Sequence, residues 1–297
     1  MKILFDFDGT LTNIQHEYAF ELARLESLVC EASGVPSEVF VEWLRRAQAH
    51  ASLTPERYGW CDHGRVSAFC DEDLFMQVAS AMQILDEWTG EGVAGTEAFR
   101  EGMGTVTFMD LTERAHLDMH AEPLCAFNTP DPEALSVLQT LLDRDCEIVV
   151  VSNSPASRII EKFEHAGMRP VDHDNNPSAR FRICGMAGKF VLADSPDPVS
   201  FGGRMVDLDR PGYRQILCRE RPQAVVGDVF SLDLALPLEM ARREPLVYED
   251  MQLYLRVRPY TPQWAIDCML NPPSDCPASL RLLNHFNDLP SLMLRHG

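Results

Sequence analysis

Apolar positions along the chain fall into short continuous runs and longer stretches with helical spacing. The run from Lys2 to Phe7 predicts a buried strand that ends at the turn signal Gly9. Further apolar runs predict strands at 146–151, 180–184, 224–226 and 246–248. Helical spacing between and after these runs predicts helices at 131–143, 156–165 and 232–242. This alternation favours βαβ units around a parallel sheet.

The stretch from about residue 14 to residue 119 has mainly helical periodicity. Tyr18, Leu22 and Leu25 recur at helical spacing before Gly34, and a further long helix is predicted over 66–88. Because strand-like runs occur before and after this stretch, it resembles an insertion into an α/β core. The predicted organisation is a core of residues 1–14 and 125–250, a mostly helical insertion of residues 15–124, and a C-terminal extension of residues 251–297 packed on the core.

Composition is that of an ordinary globular protein. The chain has 297 residues, of which 45% are hydrophobic and 24% charged. No apolar run approaches the roughly 18 residues of a membrane-spanning helix, and the first strand is too short for the apolar core of a signal peptide. A cytoplasmic location is therefore expected, with the nine cysteines reduced.

The formal net charge is −19, which limits the partners that the surface can attract. Nucleic acids and anionic membranes bind basic patches, so neither is expected as a partner. A phosphorylated small molecule would also be repelled at long range. Its site would need local positive charge from a metal ion or a few basic side chains. The sequence does not indicate an oligomeric state.

Three predicted strands end in polar residues that carry candidate chemistry. Asp6 and Asp8 follow the first strand, Ser152 follows the second, and Asp228 and Asp233 follow the third. Because ligands in open parallel sheets bind beyond the carboxyl ends of the strands, these side chains can converge. Four crowded carboxylates need a cation, and oxygen ligands favour a hard ion such as Mg²⁺.

Each of these features also has a purely structural interpretation. Asp8 and Gly9 can form a simple turn. Ser152 can cap the helix that begins near Pro155. Asp233 can be a first-turn acid stabilised by the helix dipole. The order of the three features favours a shared site over three separate coincidences.

The sequence resembles the haloacid dehalogenase-like (HAD) superfamily of phosphohydrolases. The resemblance rests on Asp6-Phe7-Asp8-Gly9-Thr10, on the strand end at Ser152, and on Gly227-Asp228 with Asp233 five residues further on. It implies a Rossmann-like α/β core with a C1-type helical cap at residues 15–124. The family motif that consists of a single lysine is best matched by Lys189, since the other two lysines, Lys2 and Lys162, lie in the first strand and in the helix after Ser152.

The resemblance also implies roles for these residues. Asp6 would be the nucleophile that forms an aspartyl-phosphate, and Asp8 the general acid and base. Asp6, the backbone carbonyl of Asp8, and Asp228 would bind Mg²⁺, with Asp233 in the second shell or bound through water. Ser152, the backbone N–H of Asn153, and Lys189 would bind the phosphoryl oxygens.

The carboxylate at Asp8 favours phosphoesters, because family dehalogenases have none two residues after the nucleophile. The expected reaction is Mg²⁺-dependent hydrolysis of a small phosphomonoester, with a phosphorylated metabolite as partner. Another phosphoryl transfer, by a phosphotransferase or mutase, and a non-catalytic binding protein of this fold are the alternatives. Phosphonate cleavage needs a cap lysine, and residues 15–124 contain none.

In the family a cap closes over the site and selects the substrate. Its hinges would lie near Thr12–His16 and Leu124–Thr129. Four arginines of the insertion either contact a second anionic group or form solvated helix faces, namely Arg45, Arg46, Arg57 and Arg65.

Overall fold

The computed structural model describes residues 1–122, 129–248, 250–272 and 276–293. Its described residues form two compact units, one from 1–13, 61–68 and 128–297 and the other from 14–60 and 69–127. The first unit has an α/β fold built on a parallel sheet, and the second is mainly helical, so the predicted fold class is confirmed. The second predicted hinge lies largely outside the described residues.

The strands and helices are defined as follows. The strands are β1 (Lys2–Phe5), β2 (Gly59–Asp62), β3 (Arg65–Phe69), β4 (Glu147–Val151), β5 (Val171–Asp172), β6 (Phe181–Cys184), β7 (Pro198–Phe201), β8 (Arg204–Asp207), β9 (Ala224–Gly227), β10 (Gln252–Arg256) and β11 (Ser279–Leu283). The helices are α1 (Gln15–Ser33), α2 (Ser37–Leu53), α3 (Leu74–Glu91), α4 (Glu97–Met103), α5 (Phe108–Ala121), α6 (Pro132–Asp143), α7 (Ala156–His165), α8 (Pro211–Glu220), α9 (Ala235–Arg243), α10 (Pro245–Tyr248), α11 (Gln263–Leu270) and α12 (Leu289–Met293).

Seven strands form one parallel sheet in the order β11-β10-β9-β1-β4-β6-β5. The central strand β1 pairs with β4 and β9, with Leu4 opposite Val149 on one side and Val225 on the other. Almost every residue of the central strands is buried, which is typical of a parallel sheet covered on both faces. This explains why continuous apolar runs predicted these strands.

The core of the first unit joins the sheet to its helices and to the C-terminal segment. Phe5 of β1 packs against Phe286, with ring centroids 6.2 Å apart. Phe7 packs against Phe163 of α7, with centroids 5.6 Å apart. Because these aromatic side chains follow or flank β1, they fix the strand end from which Asp6 and Asp8 project.

Two predicted elements are wrong. The helix predicted over 66–88 is instead strand β3 followed by α3, because Asp73 caps a new helix by accepting hydrogen bonds from the N–H groups of Phe75 and Met76. The strand predicted over 246–248 lies in the helix α10, and the next strand is β10. Leu246 is 92% exposed, so this apolar residue belongs to no sheet.

The helical unit has a core of its own. Helices α1 to α5 contribute most of its buried residues, among them Leu25, Phe40 and Leu85. Trp43 and Trp88 meet edge to face with centroids 5.9 Å apart. In the part of the chain that the structure describes, no helix has both the length and the apolarity needed to cross a bilayer.

Candidate active site

The carboxyl ends of three neighbouring strands carry the predicted polar residues. Asp6 follows β1, Ser152 follows β4, and Asp228 follows β9. The backbone N–H of Asp6 donates to Val226 O at 2.9 Å, so the chain stays in register with β9 as it leaves the sheet. The parallel topology thus brings together residues that lie far apart in sequence.

Asp6, Asp228 and Asp233 form a compact carboxylate cluster. One oxygen from each lies within 4.8 Å of the others, and Asp228 and Asp233 are buried. Asp8 is outside this group of three, although its charge contributes to raising the pKa of Asp6. The structure therefore brings together three of the four predicted carboxylates as possible ligands of one ion.

Two glycines permit this close approach. A Cβ atom at Gly9 would lie 2.1 Å from Asp228 Oδ2, and Gly9 has a φ of +82°. A Cβ atom at Gly227 would lie 2.3 Å from Asp233 Cβ. Because no side chain fits in either place, both glycines are required by the cluster itself.

Lys189 supplies the positive charge at the centre of the cluster. Its Nζ donates to Asp6 Oδ1 at 2.7 Å and to Asp233 Oδ1 at 2.8 Å, and the side chain is only 2% exposed. Its backbone N–H donates to Asn153 Oδ1 at 2.8 Å. Lys162, also buried, has its ammonium 5.7 Å from the centre of the Phe7 ring. Lys189 thus contacts Asp6 and Asp233, whereas the Lys162 ammonium lies against the Phe7 ring.

Burial and neighbouring charges determine the pKa values of the residues in the cluster. Burial and then the charge of Asp233 raise the pKa of Asp228 to about 7. Burial also raises the pKa of Asp6 well above its usual range, although Lys189 opposes this shift. Burial alone would lower the pKa of Lys189, but Asp233 and Asp6 outweigh it and keep the ammonium charged.

Asp8 is held by two hydroxyl groups from the loop after β4. Ser152 Oγ donates to Asp8 Oδ2 at 3.3 Å, and Ser154 Oγ donates to the same oxygen at 3.2 Å. The backbone N–H of Ser154 donates to Ser152 Oγ at 3.0 Å. The Asp8 carboxyl group is thereby oriented by Ser152, which was predicted to bind phosphate, and by Ser154, which was not.

Residues near the start of α8 form hydrogen bonds with the backbone of Lys189 and Asp233. The sequence did not predict them as part of the site. Tyr213 OH donates to the backbone O of Asp233 at 2.8 Å. Arg210 is fully buried and donates to Lys189 O at 2.8 Å and to Asp207 O at 3.0 Å. Arg210 also donates to Ser67 O at 2.5 Å, which ties residues 61–68 to this unit. Pro211 is a residue favoured in the first turn of a helix, and it could have signalled the start of α8.

The C-terminal segment also contacts the loop that carries Asp6 and Asp8. Tyr260 OH donates to Asp228 Oδ2 at 2.9 Å, and Thr10 Oγ1 donates to Asp228 Oδ1 at 2.8 Å. Arg258 Nε donates to Gly9 O at 2.6 Å, and Arg256 donates to Thr10 O. Asp228 is thus held by hydroxyl groups from both ends of the chain.

The four arginines considered for a second anionic group all have partners. Arg65 donates to Asp207 and to Ala193 O within the first unit. Within the helical unit, Arg45 pairs with Glu42. Arg46 and Arg57 lie over the rings of their neighbours Trp43 and Tyr58. None of these contacts favours a role in binding a substrate anion.

No protein-family model matches the chain, and no curated protein matches it. Solved structures do match at low identity. A 2-haloacid dehalogenase from Pseudomonas syringae is 13% identical with a TM-score of 0.40, over 100% of this chain and 99% of that chain. A predicted phosphoglycolate phosphatase from Haemophilus somnus is 13% identical with a TM-score of 0.47, over 98% and 96%. A predicted phosphatase from Clostridium acetobutylicum is 13% identical with a TM-score of 0.41, over 99% and 98%.

Proposed function

We propose that this protein is a Mg²⁺-dependent phosphohydrolase of the HAD type that acts on a small phosphomonoester through a phosphorylated Asp6. One observation carries the proposal. The Lys189 ammonium lies between Asp6 and Asp233, at 2.7 and 2.8 Å, beside the buried Asp228. A nucleophilic carboxylate next to a fixed cation, with further acidic ligands for a metal ion, is the arrangement that phosphoryl transfer requires.

The carboxylate cluster fits a hard divalent ion. Its donors are oxygens of Asp6, Asp228 and Asp233, and Mg²⁺ prefers oxygen donors. Burial, and after it the neighbouring carboxylates, raise the pKa values of Asp6 and Asp228, so a divalent ion at this site would stabilise their charged forms. These residues, with the backbone carbonyl of Asp8, would hold the ion, and Asp233 would act directly or through water. When bound, Mg²⁺ would compensate the charge of the phosphoryl group.

The reaction would proceed in two displacements at phosphorus. A carboxylate oxygen of Asp6 attacks phosphorus while the ester P–O bond breaks, and Asp8 gives its proton to the departing oxygen. Water then attacks phosphorus, the bond to Asp6 breaks, and Asp8 takes up the proton of the water. Ser152, the backbone N–H of Asn153, and Lys189 would bind the phosphoryl oxygens during both steps.

The substrate class follows from charge and from the acid at Asp8. The net charge of −19 disfavours nucleic acid and membrane surfaces. A small phosphorylated metabolite can instead approach an ion and a lysine at a single site. The cap role of residues 15–124, the extension at 251–297 and the cytoplasmic location remain predictions.

The first test is hydrolysis of p-nitrophenyl phosphate by the purified full-length chain. We expect phosphate release with Mg²⁺ and its loss with EDTA. Release that is equally fast in EDTA would contradict the metal requirement. Absence of release from p-nitrophenyl phosphate and from a panel of phosphorylated metabolites would favour the binding-protein alternative.

Replacing Asp8 separates proton transfer from nucleophilic attack. We expect Asp8→Asn to slow hydrolysis of an alkyl phosphate by about 10²- to 10⁴-fold, because an alkoxide cannot leave without a proton. Its first step with p-nitrophenyl phosphate should slow much less, since nitrophenolate leaves unprotonated. Rapid-quench kinetics measures both, with the exposed Asp143→Asn variant as control. Equal losses with the two leaving groups would contradict the role of Asp8 as the acid.

The raised pKa of Asp228 predicts an unusual pH dependence of stability without metal. Its folded pKa of about 7 exceeds the ordinary value of 3.8, so its contribution is present below about pH 4 and is lost as pH rises through 7. In EDTA the free energy of unfolding should therefore fall between about pH 4 and pH 7, and Mg²⁺ should restore it at the higher pH. Urea unfolding measures this.

Asp228→Asn is the matched control for this pH dependence. It should flatten the dependence in EDTA and weaken the stabilisation by Mg²⁺. A Mg²⁺-induced stabilisation that is the same at both pH values in the unmodified protein would contradict the account.

A further inference from the structure

A second cluster of metal-ligand side chains lies outside the candidate active site, in the same unit. His173 follows β5, Cys184 ends β6, and Glu220 ends α8. A ring nitrogen, the thiol sulfur and a carboxylate oxygen lie within 4.8 Å of one another, and all three residues are buried. Nitrogen, sulfur and oxygen donors at this separation can face one small ion.

One atom of the cluster has no partner. His173 Nδ1 is buried and makes no hydrogen bond among the described residues, and it lies 3.7 Å from Glu220 Oε1. The backbone N–H of His173 donates to Ile183 O at 2.9 Å, so the residue is firmly placed. Leaving such an atom unpaired costs about 1–3 kcal/mol. The lone pair of a buried ring nitrogen without a hydrogen-bond partner is available to coordinate an ion.

A cation already bridges the other two members. Arg219 Nε donates to Glu220 Oε1 at 2.9 Å, and its Nη2 lies 3.3 Å from Cys184 Sγ. The Arg219 side chain is 42% exposed, so it can move into solvent. Beside it is a cavity of about 310 Å³ lined by His173, Cys184 and Arg219. The guanidinium therefore holds a position that another cation can take.

The other carboxylate oxygen of Glu220, Oε2, already accepts hydrogen bonds from basic side chains. Arg182, which is buried, donates to Glu220 Oε2, and Lys2 Nζ donates to the same oxygen at 3.2 Å. Oε1 then remains for the ion once Arg219 leaves. Outer hydrogen bonds of this kind orient metal ligands.

Replacing the Arg219 guanidinium by a divalent ion also leaves the net charge of the site unchanged. Burial raises the pKa of the Cys184 thiol to about 11, so its proton must pass to solvent when the sulfur binds a metal. Burial and the charge of Arg219 lower the pKa of His173, which keeps its ring neutral and able to coordinate. The departing guanidinium removes one positive charge and the thiolate adds one negative charge. Together these offset the two charges of a divalent ion.

We propose that His173, Cys184 and Glu220 bind a divalent transition-metal ion of the zinc class, with Arg219 displaced into solvent and the fourth position open to the cavity. A thiolate and an imidazole select such ions over Mg²⁺, which takes oxygen donors. The ion would link the edge strand β5 and its neighbour β6 to α8. Without a transition metal, Arg219 closes the site.

Cobalt is the probe, because thiolate coordination gives Co²⁺ an intense near-ultraviolet charge-transfer band. We expect Co²⁺ titrated into the EDTA-treated, desalted, full-length protein to produce this band, and Zn²⁺ to remove it. Cys184→Ser should abolish the band, and Cys218→Ser, at an exposed cysteine of α8, should retain it. His173→Ala should weaken binding at least about 10-fold.

Two further variants separate this site from the candidate active site and test the displacement. Asp228→Asn should leave the band unchanged, because Asp228 belongs to the carboxylate cluster. Arg219→Ala should bind Co²⁺ more tightly, since no cation has to leave.

Absence of the band in the unmodified protein, or its survival in both Cys184→Ser and Cys184→Ala, would overturn the site. Unchanged or weaker binding by Arg219→Ala would overturn the displacement. Circular dichroism checks that each variant is folded.

Discussion

Asp6→Asn should lower the turnover of p-nitrophenyl phosphate by at least about 10⁴-fold. The amide is nearly isosteric with the carboxylate but cannot attack phosphorus. Lys189 would keep its contact with Asp233 at 2.8 Å, so the variant should remain folded. Steady-state kinetics at saturating Mg²⁺ measures the loss, and thermal unfolding tests whether the fold is intact.

The matched control is Asp143→Asn, the same change at an exposed position at the end of α6. It should hydrolyse the substrate at the unmodified rate. Hydrolysis by Asp6→Asn within a few-fold of the unmodified protein would exclude Asp6 as the nucleophile. A loss of activity accompanied by unfolding would show a structural role instead.

Lys189→Met should give the largest loss of stability among the substitutions considered. The methionine matches the length of the side chain but leaves Asp6 and Asp233 facing each other without a cation, in a site where the lysine is 2% exposed. Breaking a buried ion pair in this way costs about 3–5 kcal/mol. Turnover should fall by about 10²- to 10³-fold, because one donor to the phosphoryl oxygens is lost.

Urea unfolding in EDTA and in Mg²⁺ measures the effect on stability. Mg²⁺ should stabilise Lys189→Met more than the unmodified protein, because the ion would then compensate the charges of Asp6 and Asp233 in place of Lys189. Lys2→Met makes the same change at a lysine that is 24% exposed. A smaller loss is expected there, because its partner Glu220 keeps its ion pair with Arg182. Equal losses of stability in the two variants would contradict the role of Lys189 as the cation that stabilises the carboxylate cluster.

The buried parallel strands could be predicted because their physical signal is local. Strands covered on both faces consist of consecutive apolar residues, as in Val149, Val150 and Val151. The carboxyl ends of these strands then placed Asp6, Ser152 and Asp228 at one edge of the sheet. Lys189 could be predicted only by resemblance and elimination, because its position depends on a loop rather than on a strand end.

The failures have physical causes as well. The apolar residues of β3, namely Val66, Ala68 and Phe69, also fit the spacing of a helix, and Asp73 was the signal for the break before α3. The supporting arginines could not be predicted, because they bind backbone carbonyls far away in the sequence. Arg258 donates to Gly9 O across 249 positions, and no side-chain pattern marks such an acceptor. The same holds for Arg210 and Lys189 O.

The His173, Cys184 and Glu220 cluster illustrates a further limit. The three residues have no metal-binding spacing along the chain, and only the sheet order that pairs β5 with β6 brings the first two together. Their ability to bind a metal ion therefore depends on the fold and not on their spacing along the chain. Sequence spacing detects metal sites only when the ligands lie on one local element.

The most direct test of the central claim is chemical identification of the phosphorylated residue. The Asp8→Asn variant is mixed with p-nitrophenyl phosphate and Mg²⁺, quenched in acid and reduced with borohydride, which converts an aspartyl-phosphate to homoserine. We predict homoserine at position 6 in the peptide mass spectrum, absent when substrate or Mg²⁺ is omitted. An unmodified Asp6 together with a phosphoryl group on another residue would contradict the account.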